Sequence, residues 1–236
     1  MKKVLSLIAA NKQVDLLEAQ AYWDDAYLKK FLRLAAVEGR VRKLVHNHVV
    51  PLVQRAGKAP NTNWVGVAEL WFDTAQSAQS FIAASPQTDE IADPRLMPKI
   101  FHFRCNEIPM WDRAGPQNGP KVFHFFKAPA GRTKEESLKY WNEQHVKVGQ
   151  GMGTASFVAR YMQNHFIDSS QPIEAQFDFI GAPELWFDTV EDCRGVYKDA
   201  SKNAIRDVDE DKFADRETNT TLATEERLIP IKTAWI

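Results

Sequence analysis

Histidine is the side chain of this sequence best suited to proton transfer, because its ordinary pKa lies close to neutral pH. His46 and His48 alternate along one predicted strand, so their side chains point to the same face of it. His165 holds the position of His48 in a second copy of that strand, with Tyr161 on the same face. We expect these four residues to be catalytic, as general bases or acids, with His145 on a predicted helix as a further catalytic candidate.

A second group of polar and aromatic side chains is expected to bind the substrate. Carboxylates and indoles share one face of the third strand in each copy, and two further histidines alternate with phenylalanines. The predicted substrate-binding residues are Glu69, Trp71, Glu184, Trp186, His124 and His102. We expect the faces that carry the histidines and the Glu/Trp pairs to line a cavity between two sheets, where aromatic walls suit an aromatic ligand. A structural role for the two glutamates, in hydrogen bonds that define the fold, remains open.

Metal and cofactor motifs are weak. The pair His46-x-His48 supplies two ligands, but local sequence fixes no third one, so no metal is predicted. Gly149–Gly153 lies between a helix and a strand, whereas the dinucleotide fingerprint lies between a strand and a helix. We therefore predict no cofactor, and leave open that a haem or metal is acquired.

The chain contains two copies of one unit. The hexapeptide Glu69–Thr74 recurs unchanged as Glu184–Thr189, and each copy follows a glycine and precedes a helix-like segment. Each copy predicts the order βαββαβ, which is that of a ferredoxin-like unit. The predicted fold is α+β, with tandem domains at 1–114 and 120–236 joined by a glycine- and proline-rich linker. Their bare sheet faces would meet as a pseudo-dimeric barrel.

Several local signals place the elements of these units. Thr133 is a predicted helix cap, with Glu136 at the capping-box position. Thr74 and Thr189 are predicted caps of the helices that follow the third strands. The last strand is predicted at Leu228–Ile236, after a looser charged segment.

Composition restricts the class of protein. The 236 residues include 30 basic and 31 acidic side chains without a basic block, so we expect no nucleic-acid partner. Cys105 and Cys193 form neither a metal motif nor a disulfide framework, which favours a reducing, cytoplasmic location. No apolar run has the length of a membrane span, so no membrane partner is expected.

Three motifs carry a family resemblance. The segment Trp141-x-x-x-His145, the strand around Arg160–Asn164 and the Gly-x-x-Glu-Leu-Trp-Phe-Asp strand resemble the EthD family, as does the acidic segment before the last strand. The resemblance implies a dimeric α+β barrel. Relatives of that fold include accessory proteins of ether degradation, isomerases, cyclases, cofactor-free monooxygenases and haem enzymes, so the fold alone leaves the reaction open. The first copy departs from the pattern, with Tyr27 in place of His145 and His46 in place of the family's glutamine.

These observations lead to a functional expectation. The chain is expected to be a cofactor-independent enzyme that uses histidine acid–base catalysis, of lyase, elimination or isomerase type. Its partner would be a hydrophobic or aromatic small molecule, in catabolism or secondary metabolism. Two alternatives stay open: a cofactor-free monooxygenase, and a non-catalytic protein that sequesters a reactive intermediate. Whether the pseudo-dimer pairs further into a homodimer is also open.

Overall fold

The computed structural model describes residues 1–52, 64–113, 119–170 and 177–231. Eight antiparallel strands close into one barrel, in the order β1-β3-β2-β8-β5-β7-β6-β4. The strands are β1 (Lys2–Ala9), β2 (Val41–Val49), β3 (Trp64–Phe72), β4 (Ile100–Asp112), β5 (Lys121–Phe125), β6 (Val158–Ser169), β7 (Gly181–Phe187) and β8 (Thr220–Ile229). The predicted α+β class is therefore confirmed, with all its described strands in a single barrel.

Helices cover the outer face of the barrel. They are α1 (Leu16–Tyr22), α2 (Leu28–Phe31), α3 (Ala75–Ala83), α4 (Ser85–Glu90), α5 (Lys134–Tyr140), α6 (Val146–Gly151), α7 (Val190–Lys198) and α8 (Ala200–Glu210). One π-helical turn (Trp23–Tyr27) joins α1 to α2, and a second (Trp141–His145) joins α5 to α6. None of the described helices combines the length and apolar character needed to cross a bilayer.

The predicted helix caps are confirmed. The Thr133 hydroxyl accepts a hydrogen bond from the Glu136 amide, and the Glu136 carboxylate accepts one from the Thr133 amide, which completes the capping box. Thr74 and Thr189 cap α3 and α7 in the same manner, each through one amide. These contacts satisfy amide groups that the first helical turn leaves without partners.

The position predicted for the last strand is wrong. β8 spans Thr220–Ile229, and the charged segment before it forms α8 rather than a loose connection. Residues 232–236 of the prediction lie outside the described part of the chain. The actual strand was missed because its end, Glu225–Leu228, is exposed on the barrel surface, where charged residues do not oppose strand formation. β8 pairs with β2 on one side and with β5 on the other.

Among the residues that the structure describes, packed side chains occupy the barrel interior, which corrects the expectation of a ligand cavity between two sheets. Phenylalanines fill it from both halves of the chain, and Phe103 stacks on Phe166 with ring centroids 4.5 Å apart. Two lysines and two glutamates form four ion pairs in the same interior. Lys3 Nζ lies 2.7 Å from Glu69 Oε2 and 2.5 Å from Glu184 Oε1, and Lys121 pairs with the same two glutamates.

The facing predicted for the histidines is also wrong. In the β2–β3 ladder Val45 lies opposite Glu69, and His46 lies opposite Ala68. Residues directly opposite in a ladder share a face, so Glu69 points into the barrel and His46 points out toward the helices. The second half repeats this arrangement, with Asn164 inward beside Glu184 and His165 outward. His102 and His124 lie on the outer face as well.

Candidate functional site

A pocket lies on the outer face of the second half, between β5–β7 and helices α6, α7 and α8. Its unfilled space, which includes the open solvent at its mouth, is about 810 Å³. Its walls are mostly apolar, with a few polar side chains. Its lining residues include His124, His145, Gly149, Tyr161, Leu185, Arg206 and Phe213.

His145 forms a dyad with an aspartate at this pocket. It is the last residue of the second π-helical turn, and its Nδ1 lies 2.6 Å from Asp209 Oδ2. Asp209 is buried on α8 and also accepts a hydrogen bond of 2.8 Å from the Tyr140 hydroxyl. Burial opposes ionisation of Asp209, but the bonds from His145 and Tyr140 lower the pKa of its carboxyl. The carboxylate thus fixes one imidazole nitrogen and leaves the other for a bound molecule.

Tyr161 supplies a neutral hydroxyl to the pocket wall. Its oxygen accepts hydrogen bonds from Trp141 Nε1 at 2.8 Å and from Gln163 Nε2 at 3.1 Å. Burial raises the pKa of Tyr161, although both bonds oppose the shift, so the phenol keeps its proton at neutral pH. Because both acceptor positions are used, the remaining capacity of this hydroxyl is as a donor.

His124 belongs to the same pocket but is held on both ring nitrogens. Nδ1 lies 2.8 Å from the Thr221 hydroxyl, and Nε2 lies 2.8 Å from the Tyr197 hydroxyl. This ring is therefore fixed in orientation. Of the sequence-predicted site residues, the structure brings His124, His145 and Tyr161 together at the pocket.

His165 and His102 lie outside the pocket lining. His165 stacks on Trp141 at 4.9 Å and bonds to Gln163 Oε1 at 2.9 Å, and burial lowers its pKa to about 4. His102 is buried in the first half between the Ser6 and Thr88 hydroxyls, and burial lowers its pKa to about 3. Both imidazoles are therefore uncharged at neutral pH.

His46 and His48 form a separate cluster with Asp24 in the first half. Asp24 Oδ1 lies 2.8 Å from His46 Nδ1 and 2.9 Å from His48 Nε2, while Trp23 stacks on the His46 ring at 4.0 Å. Burial opposes ionisation of Asp24, but the two imidazoles lower its pKa to about 2. Burial also lowers the pKa of both histidines, against the pull of Asp24.

The predicted Glu and Trp residues lie at the barrel interior and its rim, away from the pocket. The Lys3 ammonium lies 4.9 Å from the Trp71 ring centroid, and that of Lys121 lies 4.3 Å from the ring centroid of Trp186. Glu69 and Glu184 hold the ion pairs described above. Burial and repulsion by Glu69 raise the pKa of Glu184 to about 7, although both lysines oppose this shift. Burial also opposes ionisation of Glu69, but there the two lysines outweigh it and lower the pKa.

Three partners of predicted site residues were missed in the sequence: Asp209, Asp24 and the lysine pair. Asp209 lies in the acidic segment noted for its family resemblance, and that segment was the available signal. Lys3 and Lys121 open the first strand of each copy, so their recurrence was a signal for a shared role. Asp24 had none, because Asn142 stands at its position in the second copy.

Fold and site together define an α+β barrel with a helix-covered pocket, and comparison with known proteins supports this class. The EthD domain model matches residues 130–217, which confirms the resemblance seen in the sequence for this part of the chain. The match includes the His145–Asp209 dyad. No curated protein is similar enough in sequence to be a significant match.

Solved structures share the fold at low sequence identity. An anthrone oxidase-like protein superposes with a TM-score of 0.62 and 10% identity, over 100% of this chain and 96% of that one. A putative monooxygenase from Lactobacillus acidophilus NCFM gives 0.47 at 12% identity, over 97% and 96%. A mutant chlorite dismutase from Candidatus Nitrospira defluvii gives 0.49 at 9% identity, over 95% and 91%. The last two are too distant to support an inference.

The predicted lyase, elimination or isomerase reaction is corrected by this comparison. The solved structure with a TM-score of 0.62 is named for an anthrone oxidase-like protein, not for a lyase or an isomerase. The geometry removes the basis of that prediction too, since described side chains occupy the space between the sheets that was to hold the substrate.

Proposed function

We propose that the pocket of the second half binds a planar hydrophobic molecule and that the chain oxidises it with O2, as an oxidase or monooxygenase. The observation that carries this proposal is the His145–Asp209 dyad at an otherwise mostly apolar pocket. The name of the anthrone oxidase-like structure suggests the substrate class, a polycyclic carbon acid. Such a molecule has a CH₂ group that loses a proton to a modest base.

The dyad is suited to that proton transfer. Asp209 accepts the Nδ1 proton of His145, which leaves Nε2 as the base that takes a proton from the substrate. The Tyr161 hydroxyl, whose acceptor positions are filled, donates to the oxygen on which the negative charge develops. The anion then gives electrons to O2. One oxygen atom enters the product as a carbonyl that replaces CH₂, and the other leaves as water.

The two halves differ in the space they offer a substrate. Counting from Trp23 and Trp141, Gly149 holds the position that Phe31 holds in the first half. Phe31 is packed into the first-half core, where the corresponding cavity has only about 260 Å³ of unfilled space. A Cβ on Gly149 would meet only the Thr154 hydroxyl, at 3.9 Å. The glycine therefore keeps the second-half pocket open.

Oxygen uptake with anthrone as the probe tests the proposal. We expect His145→Gln to lower the rate by about 100-fold or more, the usual contribution of a general base. Gly149→Phe should abolish turnover by filling the pocket as Phe31 does in the first half. Tyr27→Phe, at the first-half position of His145, is the matched control and should retain full activity.

Full uptake by both His145→Gln and Gly149→Phe would show that this pocket is not the site. Wild-type protein that binds anthrone or a related tricyclic phenol without consuming O2 would favour a binding protein. Substrate analogues of different ring number would then define what the pocket accepts.

A haem is the second candidate, because a buried carboxylate on Nδ1 is the arrangement that commonly holds a metal-ligating histidine. His145, Leu185 and Phe213 line the pocket and would hold the group, which would supply oxygen chemistry when bound. Arg206 is a cation of the pocket wall. Its guanidinium donates hydrogen bonds to the Val196 carbonyl at 3.0 Å and to the Asn203 side chain, so it already has partners within the protein. Titration with haemin distinguishes the two: a stoichiometric Soret band that is lost in His145→Gln would identify a haem protein.

We also propose that the chain is a fused pair of ferredoxin-like domains, 1–114 and 120–236, that act as a pseudo-dimer. The support is that β4-β1-β3-β2 and β8-β5-β7-β6 follow the same order within the barrel. The paired π-helical turns and the reciprocal Lys–Glu contacts add to it.

A further inference from the structure

The cluster Asp24, His46 and His48 has the composition of a metal site, and it lies in the half of the molecule that the proposed oxidation does not use. Two imidazole nitrogens and one carboxylate oxygen lie within 4.8 Å of one another. His46 and His48 come from one face of β2, and Asp24 comes from the first π-helical turn above them. We propose that this cluster binds a divalent first-row transition-metal ion.

The distances suit such an ion. Bonds of about 2.1 Å to nitrogen and oxygen place neighbouring ligand atoms about 3.4 Å apart in a tetrahedral site. Asp24 Oδ1 now lies 2.8 and 2.9 Å from the two ring nitrogens, so an opening of about half an ångström per contact admits the metal. Three protein ligands leave at least one position for water or another small molecule.

Neighbouring groups support a cation there. Arg227 donates to Asp24 Oδ2 at 2.9 Å, which leaves Oδ1 directed to the imidazoles. Glu225 is the ladder partner of His48 on β8 and shares its outer face. The carboxylates of Asp24 and Glu225 outnumber the one guanidinium, so the local charge favours a cation. Stacking on Trp23 fixes the orientation of both histidine rings.

The second half shows what the same scaffold is like without these ligands. Asn142 stands in place of Asp24, and Gln163 stands in place of His46, while His165 corresponds to His48. There His165 bonds to Gln163 Oε1 at 2.9 Å and stacks on Trp141 at 4.9 Å, so the packing survives the exchange. The double variant D24N/H46Q therefore copies a sequence pattern that this fold already accommodates.

Isothermal titration of the full chain with Zn²⁺ is the test, with Co²⁺ absorption as a direct report on the ligands. We expect one Zn²⁺ per wild-type chain, and an affinity about 100-fold lower or worse in D24N/H46Q, since even outer-shell changes cost 10–100-fold. His165→Gln, the second-half counterpart of a His48 change, should bind Zn²⁺ as the wild type does. Circular dichroism verifies that each variant is folded, and the single change His46→Gln replaces the double variant if it is not.

Three results would overturn the proposal. In the first, the wild type shows no stoichiometric Zn²⁺ binding. In the second, a folded D24N/H46Q or His46→Gln protein binds Zn²⁺ as tightly as the wild type. In the third, His165→Gln loses as much Zn²⁺ affinity as the double variant does. The visible ligand-field bands of bound Co²⁺ should likewise be present in the wild type and absent in the double variant. Oxygen uptake is not needed for any of these measurements.

Discussion

At the scale of single residues, the six histidines of this chain divide by what holds their ring nitrogens. His102 and His124 are fixed on both nitrogens by hydroxyl groups, whereas His145 is fixed on Nδ1 by a carboxylate. A hydroxyl adapts to either tautomer, but a carboxylate accepts only, so it selects the tautomer that carries its proton on the shared nitrogen. For this reason His145 is the histidine with a defined basic nitrogen at the pocket.

His102 should make the fold sensitive to acid. Its folded pKa of about 3 lies below the ordinary value near 6.5, so the unfolded chain binds the extra proton first as the pH falls. The free energy of unfolding therefore decreases from about pH 6.5 toward pH 3, by up to about 1.4 kcal/mol per pH unit from this group. We expect urea unfolding at pH 7 and pH 5 to show a loss in the wild type about 1–2 kcal/mol larger than in His102→Gln.

Each protein is compared with itself at pH 7 and pH 5, so any change in the free energy of unfolding that the substitution causes at both pH values cancels. Carboxylates titrate equally in both proteins and cancel in the difference. An identical pH dependence for the wild type and His102→Gln would show that His102 does not titrate as its burial requires.

At the scale of elements, the two π-helical turns set the position of the site residues. Each turn begins with a buried tryptophan that packs on a strand glycine, Trp23 on Gly66 and Trp141 on Gly181. A Cβ on Gly181 would lie 2.8 Å from Trp141 Cζ3 and 3.0 Å from the Asn164 carbonyl oxygen. The glycine thus permits the close approach that seats the turn carrying His145.

Gly181→Ala should consequently lower stability, and Gly151→Ala is its control. We expect the first change to reduce the free energy of unfolding by about 1–3 kcal/mol, as overpacking does in a well-packed core. Gly151 has nothing within 4 Å of an added Cβ, so alanine there should be neutral or slightly stabilising. Denaturant unfolding of both variants measures the difference, and equal stabilities would contradict the close contact.

The same elements show which features the sequence could predict. The caps at Thr133, Thr74 and Thr189 were predictable because both partners of each bond lie within three residues of one another. The facing of the histidines was not, since it depends on which residue of β3 lies opposite each residue of β2. One strand pattern is compatible with either register, and a shift by one residue exchanges the two faces.

The site partners divide in the same way. His145 and Tyr161 were found from their motifs, but the Asp209 contact joins residues 64 positions apart. The Asp24 contacts to β2 span 22 and 24 positions and depend on how the π-helical turn packs over the strand. Local pattern holds no information on such packing, so a cluster of three ligands was visible only as a pair.

At the scale of the whole molecule, the two halves of the chain form one barrel with two unequal outer faces. In the interior, ion pairs join the two halves: Lys3 pairs with Glu184, and Lys121 pairs with Glu69. Asn47 donates to Glu69 at 2.9 Å, and Asn164 donates to Glu184 at 3.0 Å. The contacts in the interior therefore hold the two halves together. The outer faces have diverged: Phe31 closes the first, and Gly149 opens the second.

The location of a bound ligand tests this account most directly. A crystal structure of the protein with anthraquinone, the oxidised and unreactive form of the probe, measures that location. We predict the ring system between the sheet and helices of the second half, in contact with Leu185 and Phe213 and with a carbonyl oxygen within hydrogen-bond distance of His145 or Tyr161. Anthraquinone inside the barrel beside Glu69 and Glu184, or in the first half beside Phe31, would contradict it.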